Sequence, residues 1–138
     1  MKQHVIFLCA ENSVRSQMAE AFLRKHASDR YEAFSAGVDP EEIHPFAIQV
    51  MQEAGIVISG QFSKSVALFL GKVHFDYVIT VCDKAKKNCP ARWPAVIKQL
   101  HWSFDDPTKS EGTNAEKLEK FRSVRDQIER KVIDWLGL

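Results

Sequence analysis

Short unbroken apolar runs alternate along this chain with apolar residues at helical spacing. The run at residues 4–8 predicts a central parallel strand that is covered on both faces and ends at Cys9. A helix is predicted to begin near Ser13, because apolar residues then recur every three or four positions and cations follow at 24–26. The chain therefore opens with a strand, a short loop and a helix.

The middle of the chain continues this alternation. A strand is predicted at residues 31–36, and a helix that opens at Pro45 should end in a left-handed cap at Gly55. Residues 63–70 are predicted to form another short helix. The β-branched run at 76–81 then predicts a third strand.

The third strand ends at Cys82, so a second cysteine lies at the carboxyl end of a strand. Residues 83–88 are polar and lysine-rich, which indicates a helical turn or a loop. A fourth strand is predicted near 96–102, and residues 104–107 are predicted to form a loop.

The last segment opens with Thr113 and Glu116 at capping-box spacing and carries apolar residues at helical spacing. It predicts a long amphipathic helix. Strands that alternate with helices indicate an α/β fold, an open four-stranded parallel sheet flanked by helices. Ligands of such sheets bind outside the carboxyl ends of the strands, where Cys9, Cys82 and the loop at 104–107 are predicted to lie.

The composition is that of an ordinary globular protein. The 138 residues predict a single domain over 1–138, with 27% charged and 45% hydrophobic residues. A formal net charge of +1 gives no electrostatic reason to expect nucleic acid or a membrane as partner. The N-terminal apolar run is too short for a signal peptide or a membrane span, so we expect a cytoplasmic protein. We also expect a monomer.

The three cysteines, Cys9, Cys82 and Cys89, form an odd set, which argues for reactive or metal-binding thiols rather than structural disulfides. A zinc site is not favoured, because the spacing of Cys82 and Cys89 is wider than a zinc knuckle and no paired histidines accompany them. We therefore expect no bound metal and no cofactor.

The stretch from Cys9 to Ser16 has the pattern C-x5-R-S between a strand and a helix. A lone cysteine at a strand end is more often a packing residue, but this context favours a nucleophile beneath an oxyanion site. Arg15 would grip two oxygens of a tetrahedral anion, and the Ser16 hydroxyl could donate to the thiolate. The field of the loop is predicted to lower the pKa of Cys9. The predicted oxyanion-binding residues are Ala10, Glu11, Asn12, Ser13, Val14 and Arg15.

Together these residues suggest a thiol relay. Neighbouring strands lie about 5 Å apart, so Cys9 and Cys82 could meet if their strands pair. Cys9 would attack an oxyanion, Cys82 would attack Cys9 and release the reduced product, and Cys89 would then attack Cys82. If the intervening residues were helical, Cys82 and Cys89 would be about 10.5 Å apart, too far to bridge, so that segment would have to unwind. Asp106, chosen over Asp105, would protonate the departing oxygen.

Four stretches carry a family resemblance. They are C-A-E-N-S-V-R-S-Q-M-A-E-A from Cys9, S-A-G from Ser35, C-D-K-A-K-K-N-C-P from Cys82 and W-S-F-D-D-P from Trp102. Together they resemble the thioredoxin-coupled arsenate reductases, which have the low-molecular-weight protein tyrosine phosphatase fold. The resemblance covers nearly the whole chain, and it implies that arsenate is the substrate and thioredoxin the reductant.

The resemblance also implies roles for single residues. Cys9 would be the nucleophile, with Arg15 and the loop amides as its oxyanion clamp and Ser16 as the stabiliser of the thiolate. Asn12 would hold the shape of the loop, and Asp106 would be the acid. The remaining cysteines would end as a disulfide that thioredoxin reduces.

The sequence departs from the family pattern at three places. Val14 replaces a cysteine of many relatives that is not part of the relay, and Glu11, which we expect to face solvent, replaces a glycine or histidine. Some relatives bind potassium beside the loop through residues that match Asn12, Glu20 and Ser35 and through a Thr-x-Asp pair. Phe62 and Lys64 stand in place of that pair.

Three alternatives remain open on the sequence. A phosphotyrosine phosphatase would share the loop and the acid, although phosphatases of this fold usually carry tyrosines after the Asp-Pro pair, where this chain has Thr108. An arsenate reductase could instead be recycled by glutathione and glutaredoxin. A thiol module that only binds oxyanions or metals would have no enzymatic activity.

Overall fold

The computed structural model describes residues 2–69, 71–82 and 98–138. Residues 83–88 and Cys89, for which the sequence makes predictions, lie outside the described residues. The helices and strands in chain order are β1 (Gln3–Cys9), α1 (Arg15–Ala27), β2 (Tyr31–Gly37), α2 (Pro45–Glu53), β3 (Tyr77–Thr80), β4 (Lys98–His101) and α3 (Asn114–Leu136). Short 3-10 helices lie at Val66–Leu68 and Pro107–Lys109.

The strands of the described chain form one parallel sheet in the order β2-β1-β3-β4. The predicted fold class, an α/β fold with a four-stranded parallel sheet flanked by helices, is confirmed. β1 lies inside the sheet and is buried from Val5 to its end, as its unbroken apolar sequence requires. β1 pairs with β2 on one side and β3 on the other, so their carboxyl ends share one edge.

The helices close over this sheet through their apolar stripes. α3 packs against both α1 and α2, and its capping box at Thr113 and Glu116 is formed as predicted. The core includes four phenylalanines that are at most 1% exposed: Phe7, Phe22, Phe75 and Phe121. Gly55 follows α2 with a φ of 81°, the left-handed conformation predicted for it. No helix of the described residues is long and apolar enough to cross a membrane.

Two predictions about helices need correction. α1 begins at Arg15 and not near Ser13, because the residues between Cys9 and Arg15 form the loop. The helix predicted at residues 63–70 is wrong: the described part of that stretch contains only the 3-10 helix at Val66–Leu68. The residues before it are extended, because their polar groups bond to the loop after β1 rather than to one another.

Candidate active site

The pairing of β1 with β3 brings two cysteines together at the carboxyl edge of the sheet. Leu8 lies opposite Thr80, so Cys9 and Cys82 leave adjacent strands side by side. Both cysteines are buried, with only 4% of each exposed. The Cys82 side chain is close enough to Cys9 for a hydrogen bond between them. The structure thus places the first two cysteines of the predicted relay in contact.

The loop between β1 and α1 is held in shape by Asn12. This residue has a φ of 53°, in the left-handed region, and is fully buried. Its Nδ2 donates to Ser16 Oγ at 2.8 Å, and its Oδ1 accepts from the Lys64 N–H and from Gln17 Nε2, both at 2.9 Å. Gly37 lies directly behind, where an added Cβ would come within 2.9 Å of the Asn12 nitrogen. The loop therefore has little room to relax.

Arg15 and Asp106 face each other across the site. Arg15 Nη1 donates to the Phe104 carbonyl at 3.0 Å, and Nη2 lies 3.5 Å from Asp106 Oδ2. Asp105 instead points outward to Lys120, 3.0 Å away, and is largely exposed. Of the two aspartates considered in the sequence, it is Asp106 that lies against Arg15.

These groups surround a cavity of about 420 Å³. Its walls include both cysteines, Arg15 and Asp106, together with most of the predicted oxyanion-binding residues: Ala10, Glu11, Ser13 and Val14. Asn12 does not line it, because its side chain points to the back of the loop. A nucleophile, a guanidinium and a carboxyl group thus converge on one space that could receive a tetrahedral anion. Among the described residues, no cluster of three His, Cys, Asp or Glu side chains could hold a metal ion.

The predicted lowering of the Cys9 pKa is wrong for this arrangement. The hydrogen bond with Cys82 and then burial raise the pKa of the Cys9 thiol, and they outweigh the Arg15 guanidinium and the Ala10 N–H, which lower it. Two thiols in contact cannot both carry a negative charge, so the pair gives up its first proton much more readily than its second. The expectation failed because it treated Cys9 without its neighbour.

Sequence reasoning missed several residues that support the site. Thr108 holds Asp106 Oδ1 through its N–H at 3.0 Å and its hydroxyl at 2.6 Å. Behind the loop, Gln17 Nε2 donates to Asn12 and to the Phe62 carbonyl. Ser63 Oγ donates to the Asn12 carbonyl at 2.7 Å and also to the Glu41 carbonyl. Gln17 is fully buried, and buried polar groups need partners, but that burial becomes known only with the structure.

The fold and this loop define a class of protein. The chain belongs to the low molecular weight phosphotyrosine protein phosphatase family, whose family model matches residues 4–137. A low molecular weight protein tyrosine phosphatase from T. tengcongensis superposes with a TM-score of 0.80 over 99% of each chain. At 23% identity that likeness shows the fold alone.

Within this family, the chain is similar to proteins named arsenate reductase. One from Shouchella clausii is 43% identical over 131 residues, 95% of this chain and 93% of that protein. One from Bacillus subtilis is 40% identical over 124 residues, 90% and 88% of the two chains. A solved structure described as an arsenate reductase in the phosphate binding state has a TM-score of 0.82 and 34% identity, and covers 98% of this chain and 97% of its own.

Proposed function

We propose that this protein reduces arsenate to arsenite through a relay of Cys9, Cys82 and Cys89. The observation that carries the proposal is the contact between Cys9 and Cys82 inside the cavity. Hydrolysis of a phosphate ester needs one nucleophilic cysteine, whereas two-electron reduction of an oxyanion needs a second thiol to accept the sulfur bond. The names of the relatives, at 40–43% identity, agree with this choice.

In the first step Cys9 attacks arsenate as a thiolate. Arg15 and the loop amides would hold the arsenate oxygens, and binding would draw Arg15 away from its contact with Asp106. Asp106, when protonated, would give its proton to the departing oxygen, which leaves as water. The product of this step is a Cys9–arsenic(V) adduct.

The second step is the reduction. Cys82 attacks the Cys9 sulfur, the electron pair of the sulfur–arsenic bond passes to arsenic, and arsenite leaves as a Cys9–Cys82 disulfide forms. Cys89 then attacks Cys82, which frees Cys9 and leaves a Cys82–Cys89 disulfide. We propose that thioredoxin reduces this disulfide, with glutathione and glutaredoxin as the alternative.

The test is turnover of arsenate with thioredoxin, thioredoxin reductase and NADPH. Cys9→Ser, Cys82→Ser and Cys89→Ser are each expected to abolish multiple turnover, and Cys89→Ser should accumulate a Cys9–Cys82 disulfide detectable by mass spectrometry of peptides. Undiminished turnover by Cys82→Ser would overturn the relay. Replacing the thioredoxin system with glutathione and glutaredoxin in the same assay identifies the reductant.

A parallel assay with p-nitrophenyl phosphate measures the phosphatase alternative. Hydrolysis that is faster than arsenate reduction, and that survives in Cys82→Ser, would assign the loop to phosphatase chemistry instead. We expect weak hydrolysis, because the residue after Pro107 is the small Thr108 and no tyrosine follows to hold an aromatic substrate.

A further inference from the structure

The back of the loop contains a lysine that the proposed chemistry does not use. Lys64 is buried, with only 8% of its side chain exposed, and its Nζ donates to the Phe62 carbonyl at 2.7 Å. The Glu20 carboxylate, 6% exposed, lies 3.7 Å from Nζ, an ion-pair distance. A buried ammonium is costly without a partner, and burial lowers the pKa of Lys64 while Glu20 opposes that shift.

The backbone of Lys64 is connected to the loop by a direct hydrogen bond. The Lys64 N–H donates to Asn12 Oδ1, the atom that fixes the left-handed residue of the loop. The Phe62 carbonyl that receives Nζ also receives Gln17 Nε2, which in turn donates to Asn12. The Lys64 ammonium therefore contacts, through the Phe62 carbonyl, the hydrogen-bond network that shapes the anion site.

Oxygen atoms that could hold a potassium ion here already have other partners. Asn12 Oδ1 accepts two N–H groups, and the Phe62 carbonyl accepts two more. Glu20 Oε1 accepts the Ser35 hydroxyl at 2.6 Å, and Oε2 accepts Arg24 at 2.7 Å. The Lys64 ammonium lies 3.7 Å from Glu20 Oε1. The residues of this chain therefore do not fit the potassium site that some relatives have beside this loop.

We propose that Lys64 is a positioning residue that supplies a built-in cation behind the oxyanion loop, so that the shape of the loop does not depend on a bound alkali ion. The inference rests on the proposed use of the loop as an oxyanion site, but not on arsenate reduction itself.

The first experiment compares the melting temperature of the reduced protein in KCl and in NaCl at equal concentration. The wild type is expected to melt at the same temperature in both salts. Lys64→Asp places a second carboxylate beside Glu20 and is expected to melt lower in NaCl and to regain stability in KCl. Lys72→Met, at an exposed lysine, is the control and should follow the wild type in both salts.

The second experiment measures the affinity for inorganic phosphate by isothermal titration calorimetry. Lys64→Met is expected to bind phosphate at least about tenfold more weakly than the wild type and than Lys72→Met, because the loop loses its support. Lys64→Arg, which keeps a cation, should recover part of the affinity.

Two results would overturn the proposal: a wild-type melting temperature that rises in KCl over NaCl, or wild-type phosphate affinity in Lys64→Met. If the wild type binds no phosphate at all, the oxyanion site itself is refuted, and the comparison of salts still decides whether Lys64 replaces an alkali ion. Neither readout depends on thioredoxin or on the second and third cysteines.

Discussion

The front and the back of the loop after β1 are built from different kinds of residue. The front presents Cys9, Cys82, Arg15 and Asp106 to a cavity, and Arg15 lies 3.5 Å from Asp106 across it. The back is a dense, buried network of short hydrogen bonds centred on Asn12. Under the proposed function, groups at the front would change partners when the oxyanion binds, whereas the back would stay fixed to keep the amides aimed at it.

The largest effect is expected from a change at the front that leaves the back untouched. Arg15→Lys keeps the charge but loses the planar fork, and we expect kcat/KM for arsenate to fall about 10²–10³-fold. The free energy of unfolding in urea should stay close to that of the wild type. Arg30→Lys, at an exposed arginine, is the matched control. If Arg15→Lys keeps the wild-type kcat/KM, Arg15 does not form part of the oxyanion clamp.

A change at the back should show the opposite pattern. Gln17→Leu removes the donor to Asn12 and Phe62 and leaves their carbonyls without this partner. We expect the free energy of unfolding, measured in urea, to fall by about 1–3 kcal/mol. Gln127→Leu, on the exposed face of α3, should change it little. Unchanged stability in Gln17→Leu would show that the network at the back is dispensable.

The two thiols offer a third comparison, within the front itself. Cys82→Ala removes the first cause of the raised Cys9 pKa and leaves the Arg15 guanidinium that lowers it. The pKa of Cys9 should therefore fall by at least about one unit, which corresponds to about 1.4 kcal/mol. The measurement is the pH dependence of Cys9 alkylation by iodoacetamide, with Cys89→Ser as the common background. An unchanged or higher pKa would show that Cys82 does not raise it.

The smallest expected effect concerns His44, which caps α2 and lies next to the front. Burial lowers its pKa, although Asp106 opposes that shift, so the folded protein binds a proton less readily than the unfolded chain. Below pH 6.5 the unfolded chain takes up a proton on His44 more readily than the folded protein does. The free energy of unfolding is therefore highest above pH 6.5 and falls as the pH drops below it. His44→Asn keeps a side-chain acceptor for the Phe46 N–H. Its unfolding free energy should fall less between pH 7.5 and 5.5 than that of the wild type.

The groups at the front of the loop could be predicted from the sequence, and the hydrogen bonds at its back could not, for a physical reason. Cys9, Arg15 and the strand that precedes them form a local pattern, and parallel pairing brings Cys82 to the same edge by a general rule of α/β sheets. Two of the supports of Asn12, the Ser63 hydroxyl and the Lys64 N–H, come instead from about fifty positions away. Both residues belong to the stretch 63–70, for which the local pattern predicted a helix although these tertiary hydrogen bonds require an extended chain.

The prediction that the pKa of Cys9 is lowered was wrong for a related reason. The loop and the helix start favour a thiolate, and both are local features. The opposing influence of Cys82 becomes visible only when the two strands are known to be adjacent. Local patterns therefore predicted which groups meet at the site, but not how strongly they act on one another.

The contact between Cys9 and Cys82 also has a consequence for survival under oxidants. When peroxide converts an isolated nucleophilic cysteine to the sulfenic acid, further oxidation to the sulfinic acid is irreversible for most proteins. Here the sulfenic acid would form beside a thiol that can condense with it and expel water, leaving a disulfide that a thiol reductant reverses. The neighbour that raises the pKa of Cys9 is therefore also the thiol that would intercept its sulfenic acid before irreversible oxidation.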